Sequence, residues 1–200
     1  MNLIQAWIDC VFPPLCQVCK TTCRTRLLCH DCWELCSLPD PIERCRHCFG
    51  EIEREEEIIC QKCKRNPVLS FPTAFVFEST APAFALYRKV KEEPETIAAF
   101  AIVQWERLNW PVPDAVIPLP RAERIAKPFA FSLECPYARV LSRWGNNWEC
   151  NDQALKEDQT FLLIGEKVSE AVLREAAEIL SDTFPKKLYA LSLFAPSINA

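Results

Sequence analysis

The chain has 200 residues, half of them hydrophobic, and a net charge of −4: enough apolar material for one or two packed domains, and too little positive charge for general attraction to nucleic acid. Its 13 cysteines exceed ordinary intracellular usage and call for either disulfides or metal. Its apolar runs fall short of the roughly 18 residues needed to span a bilayer, which argues against membrane insertion.

In chain order, residues 1–16 carry no Lys or Arg ahead of a short apolar segment and no small-residue cleavage site. They do not read as a secretory signal, and the expected compartment is the reducing cytoplasm, where thiols stay free or bind metal. Residues 3–12 are amphipathic and are expected to dock within the chain, since Trp7, Ile8 and Phe12 left exposed would form an apolar patch.

Four Cys-x-x-Cys pairs follow: Cys16/Cys19, Cys29/Cys32, Cys45/Cys48 and Cys60/Cys63. The two-residue spacer turns both thiolates of a pair toward one ion, and two such knuckles close a tetrahedral site. The spacing assigns one zinc ion to the first four cysteines and a second to the last four. Iron, an iron–sulfur cluster, a disulfide framework and a cross-braced order of the pairs stand as alternatives. Cys10, Cys23, Cys36, His30 and His47 are close enough in sequence to compete as ligands and read as bystanders. Cys135 and Cys150 have no neighbouring base, so no catalytic thiol is expected. Lys20, Arg24 and Arg26, Arg44 and Arg46, and Lys62, Lys64 and Arg65 lie beside the pairs, opposed by the acidic run 51–57. Solvated surface is the plain reading of both.

Eleven of the 13 cysteines precede residue 64. A domain boundary is therefore expected within residues 65–72, dividing an N-terminal helix and double zinc ribbon (1–67) from an α/β domain (68–200). In the second part, residues 73–78 read as a strand, Thr80 as the cap of a short helix to Val90, and Pro94 as the start of a helix with Ile97, Ala101, Trp105 and Leu108 on one side. Residues 114–120 read as a buried strand, followed by a proline-rich irregular stretch and a helix over 137–144 up to Gly145. Residues 161–164 are a strand. Ser169 is the N-cap of a helix with Val168 and Leu173 as a hydrophobic staple, and Val172, Ala176, Ile179 and Leu180 form its buried stripe. Residues 187–195 supply another strand, so the last part is a βαβ unit and the sheet should be mostly parallel.

The opening segment "IDCVFPPLCQVC", the knuckles "LCHDCW", "CRHC" and "CQKC", and the later stretches "FVFESTAPAFALYRKVK" and "DAVIPLP" resemble the ComF family of competence-associated proteins over nearly the whole chain. The resemblance implies a double zinc ribbon followed by a type I phosphoribosyltransferase-like domain. It also implies a role in DNA uptake or processing, with partners among competence-machinery proteins such as a family-associated helicase, and single-stranded DNA. For DNA, the candidate contacts are Lys20, Arg24, Arg26, Lys62, Lys64 and Arg65, with Trp33 available for base stacking.

In active members, the strand at 161–164 would be followed by two adjacent acids and a Thr-Thr-Gly turn that holds the 5′-phosphate of phosphoribosyl pyrophosphate. Here Gly165 and Glu166 stand at the acidic pair. Lys167, Val168, Ser169, Glu170 and Ala171 fill a shorter turn that has no glycine. Gly165, Glu166, Ser169 and Glu170 thus form a vestigial phosphoribosyl loop, with no catalytic residue assigned. The basic loop of active members corresponds to 124–134, where Lys127 and Phe129 are the remnants and Pro128, Ala130 and Phe131 depart from the pattern. The chain has three glycines where average usage gives about 14, and a phosphate cradle needs backbone approach that a Cβ obstructs. A non-catalytic scaffold is the leading expectation. The competing readings are a phosphoribosyltransferase that is active or still binds its pyrophosphate sugar, and a zinc-ribbon adaptor that binds only protein.

Overall fold

The computed structural model describes residues 7, 10–24, 27–52, 57–67, 69–89, 92–145 and 147–195. The cysteine-rich part contains the short helices α1 (His30–Glu34) and α2 (Gln61–Arg65). There follow β1 (Thr73–Phe77), α3 (Ala81–Lys89), α4 (Pro94–Leu108), β2 (Ala115–Pro118), α5 (Glu123–Ser132), β3 (Leu141–Trp144), β4 (Asn147–Cys150), β5 (Thr160–Gly165), α6 (Glu170–Ser181) and β6 (Lys187–Phe194). Strands β1, β6, β5 and β2 lie side by side in that order, all parallel, and β3 and β4 form a separate antiparallel hairpin. The α/β class and the parallel sheet expected from the βαβ pattern are both present.

Parallel strands covered on both faces should be apolar throughout, and β5 is buried at every position. Its side chains divide by the period of two. Leu162 and Ile164 join one cluster with Val116, Leu191 and Leu193, while Phe161 and Leu163 join another with Ala115, Ile117 and Ala190. The first cluster is covered by α3, α4 and α5 together with Leu27, Leu28, Cys36 and Phe49 of the cysteine-rich part. Over the second lie Val168, Leu173, Ala176 and Leu180, with Leu69 and Phe71 from the connecting segment.

Local signals account for several helix ends. The Thr80 hydroxyl accepts from the Ala83 N–H at 3.4 Å, and the Ser169 hydroxyl accepts from the Val172 N–H at 3.4 Å. Val168 and Leu173 are both buried, as a staple requires. Helix α4 starts at Pro94, whose missing N–H is an orphan there anyway, and ends at Asn109 in the left-handed conformation, φ 52°.

Three expectations are corrected. The stretch after β2 is helical: Ile125, Ala126, Phe129 and Ala130 are buried on one side of α5 despite Pro128 inside it. An interior proline costs about 3 kcal/mol, and burying Ile125 and Phe129 offsets it at about 2–3 kcal/mol each. Residues 137–144 form no helix. Tyr137 bridges the edge of β2, with the Val116 N–H donating to Pro136 O at 2.8 Å and the Ala138 N–H to Val116 O at 2.9 Å, and this extended path leads into β3. Finally, Trp7 and Phe12 are 76% and 75% exposed, so the apolar side chains expected to dock are on the surface; Ile8 and most of residues 3–9 lie outside the described residues. Among the described residues, no helix is long and apolar enough to cross a membrane.

The cysteine-rich part shares its core with the sheet. Trp33 stacks on Phe100 of α4 at 5.5 Å, and Phe49 meets Phe75 of β1 edge-on at 5.0 Å. The buried Gln104 side chain donates to Pro39 O at 2.9 Å. Arg44, only 14% exposed, pairs with Glu78 just beyond β1 and lies over the Phe75 ring.

Candidate metal centres and the corner after β5

The two metal centres are built by a repeated backbone design. In the first, the Cys16 N–H donates to Thr21 O at 2.8 Å and the Lys20 N–H to Cys16 O at 3.1 Å; in the second, Cys45 donates to Gly50 O at 2.8 Å and Phe49 to Cys45 O at 2.9 Å. Lys20 and Phe49, each directly after a knuckle, adopt φ 62° and 57°. The antiparallel bridges Leu15–Thr22 and Arg44–Glu51 close the two loops, and Cys29 and Cys60 each serve as N-cap of the short helix that brings in the fourth thiol. Each Cys-x-x-Cys spacer is therefore half of a tight turn, and each second pair opens a helix.

This design brings together Cys16, Cys19, Cys29 and Cys32, and separately Cys45, Cys48, Cys60 and Cys63, with the sulfurs of each set within 4.8 Å of one another. The sequential pairing is the one present, rather than the cross-braced one. Four sulfurs about 2.3 Å from a zinc ion stand about 3.8 Å apart. Cys19 and Cys29 approach to 3.5 Å and Cys48 and Cys60 to 3.7 Å, so each set can hold one zinc ion. None of the 13 cysteines is in a disulfide, which leaves no disulfide framework.

The thiols also show why a dication belongs between them. Burial opposes ionisation at Cys16, but N–H groups of Cys29, Cys19 and Val18 outweigh it and bring the thiol down to about 6. Cys45 is likewise brought down to about 7 against its burial by N–H groups of Cys48, Cys60 and His47. The last thiol of each set resists: burial and the neighbouring cysteines push Cys32 up to about 12 and raise Cys63 as well. Hydrogen bonds from Thr21 lower Cys19 as well, so it is the last thiol of each set that stays protonated until a metal neutralises the charge.

The bystanders have other tasks. His30 faces solvent beside Glu34 at 3.3 Å. His47 Nε2 is 2.6 Å from Leu69 O, and the His47 carbonyl accepts from the Thr73 N–H at 2.7 Å, fastening the third knuckle to the start of β1. Burial pushes the Cys36 thiol up to about 11, as befits a core residue. Cys135 and Cys150 are raised by burial too, so neither is an activated thiol.

The corner after β5 is packed. A Cβ built on Gly165 would stand 2.0 Å from Val168 Cγ2 and 3.2 Å from Leu119 Cδ1, so the valine occupies the space over the glycine. The Glu166 carbonyl accepts from the Phe194 N–H at 3.2 Å and the Ser192 hydroxyl at 3.4 Å, and Lys167 Nζ lies over the Phe84 ring at 5.6 Å. Ser169 caps α6, and Glu170 is an exposed acid in its first turn. Gly165→Ala is therefore expected to lower stability by about 1–3 kcal/mol, because Val168 must leave its place; a thermal melt unchanged from wild type would show that the corner yields.

Of the cationic residues beside the knuckles, Lys20 Nζ donates to Gln17 O at 3.1 Å and Lys64 pairs with Glu57 at 3.3 Å. Arg26 lies outside the described residues, as do residues 53–56 of the acidic run. Trp33 is half-buried, with its ring stacked on Phe100. Lys127 and Phe129 belong to α5, where Phe129 is fully buried and Lys127 lines an open groove with Arg124, Phe131 and Tyr137.

No protein-family model and no curated protein matches the chain. Among solved structures it is similar to adenine phosphoribosyltransferase from Saccharomyces cerevisiae, in a complex with D-2,5-dideoxy-2,5-imino-altritol 1,6-bisphosphate and adenine. The identity is 14%, the TM-score 0.37, and the match covers 56% of this chain and 73% of that one.

Proposed function

We propose that the protein is a zinc-stabilised, non-catalytic scaffold of the ComF type, with a phosphoribosyltransferase-like α/β domain that has lost its anion seat. The observation that carries this reading is Val168 lying over Gly165, where an active member would need open backbone N–H groups facing the phosphate. The missing second acid, the glycine-free turn and the exposed Glu170 act in the same direction. A scaffold of this kind works through partners in the cytoplasm: proteins of the competence machinery such as a family-associated helicase, and single-stranded DNA engaged during uptake or processing.

Calorimetry with phosphoribosyl pyrophosphate and magnesium is expected to give no saturable heat up to millimolar ligand. Saturable binding that disappears in Glu166→Ala would instead make this a phosphoribosyl pyrophosphate-binding protein. For DNA, a filter-binding titration with single-stranded oligonucleotide should show affinity that falls as salt rises. Absence of binding even at low salt removes DNA from the reading and leaves protein partners alone.

A further inference from the structure

The repeat permits a comparison inside one molecule, since the two centres share ligands and backbone bonds but not surroundings. At matching positions, Val18, Cys19, Lys20 and Thr21 stand where the second centre has His47, Cys48, Phe49 and Gly50. His47 is tied to Leu69 and Thr73, and Phe49 is buried against Phe75. Cys48 is half-buried beside a small cavity of about 50 Å³ walled by Thr73, Phe75, Val168 and Leu173. On the first centre Lys20 is exposed, Cys19 is exposed, and the Cys19 sulfur is 2.9 Å from the Thr21 hydroxyl. The first centre docks through its other end, where Trp33 meets Phe100. Of its first knuckle, Cys16 is buried while Cys19 and the following Lys20 face solvent.

We infer that the two zinc centres are unequal, the first being an oxidation-sensitive, exchangeable site that opens at Cys19 and the second a permanent one. The inference rests on the assignment of two zinc ions. Hydrogen peroxide is the oxidant the exposed sulfur would meet. The Cys19 sulfur attacks one peroxide oxygen and the O–O bond breaks, giving a sulfenic acid and a hydroxide that takes up a proton as water. The Cys29 sulfur, 3.5 Å away, then displaces the sulfenic oxygen. An S–S bond forms as the S–O bond breaks, and the second oxygen leaves as hydroxide, which takes up a proton from solvent to become water. Two electrons have passed from the two sulfurs to the peroxide, and the zinc ion, left with two of its four ligands, dissociates as the hydrated ion.

The test uses the full chain with its metal content fixed beforehand by elemental analysis. Fewer than two zinc ions per chain would overturn the two-centre assignment itself, before any peroxide is added. With two present, hydrogen peroxide in excess over both centres and a colorimetric zinc indicator should show one ion released about tenfold or more faster than the second, and peptide mapping after the first phase should find the new disulfide at Cys19. Release of both ions in a single phase, or a first disulfide among Cys45, Cys48, Cys60 and Cys63, overturns the inference. His47→Val, which copies the first centre's residue, should bring the slow phase toward the fast one; a slow phase left unchanged overturns the role assigned to burial.

Discussion

Cys45→Ser is expected to leave about one metal ion per chain and to unfold the second ribbon. Cys45 is fully buried, and its sulfur accepts from the His47 N–H at 3.4 Å and the Cys60 N–H at 3.3 Å while completing the thiol set. A serine oxygen is shorter and harder than a thiolate and satisfies neither the metal nor these donors at the same distances. Structural zinc contributes on the order of 10 kcal/mol to folding of a small domain, comparable with the whole stability of an ordinary one. Among the described residues of this ribbon, Phe49 is the buried apolar residue apart from Cys45 and Cys63, too little for a core of its own. The loss should reach the sheet through His47, Arg44 and Phe49, which fasten the ribbon to Thr73, Glu78 and Phe75. Hydrogen exchange should accelerate over residues 44–67 and 73–75 while β2 and β5 stay protected. Two ions retained together with native exchange would refute the account.

Phe77→Ala is expected to be the most damaging single truncation in the sheet, at about 3–5 kcal/mol. The Phe77 ring is fully buried between Phe194 at 5.7 Å and Phe100 at 5.4 Å, and Phe100 in turn carries Trp33. Removing it empties the point where β1, β6, α4 and the first ribbon meet. For a chain of this size the midpoint of thermal unfolding should fall by roughly 10 °C. Phe184→Ala provides the contrast: that ring is 70% exposed, and its loss should stay within about 0.5 kcal/mol. Equal effects of the two substitutions would mean that the aromatic chain does not join the ribbons to the sheet.

The local signals read from sequence correspond to single-residue physics. Ser169 and Thr80 cap helices because a side-chain oxygen next to an apolar periodic run meets an orphan N–H wherever the helix then packs. Each Cys-x-x-Cys pair turns its two thiols together for a similar reason, since a two-residue spacer admits few turns and a metal accepts few geometries. The misread stretches depend on distant contacts. Residues 137–144 carry apolar residues at spacing compatible with a helix. They are extended because Tyr137 bridges β2 and because Arg143 and Trp148 of the hairpin both reach Glu175 of α6, at 3.3 Å and 2.8 Å. Pro128 suggested an irregular loop, and α5 forms around it because Phe129 and Ile125 find a buried surface.

Sequence alone determined the parts: four Cys-x-x-Cys pairs, the βαβ order of the last third, and a turn after β5 without a second acid or a glycine. Only tertiary structure decided how they meet, with the pairs joined in sequential order, Val168 filling the space above Gly165, Trp33 stacked on Phe100, and Cys48 and Phe49 shielded where their counterparts Cys19 and Lys20 face water. The reason is one of range. Caps, knuckle turns and strand periods are set by neighbours within a few residues, whereas the filling of a corner or the shielding of a sulfur depends on side chains that are distant in sequence and adjacent only after folding.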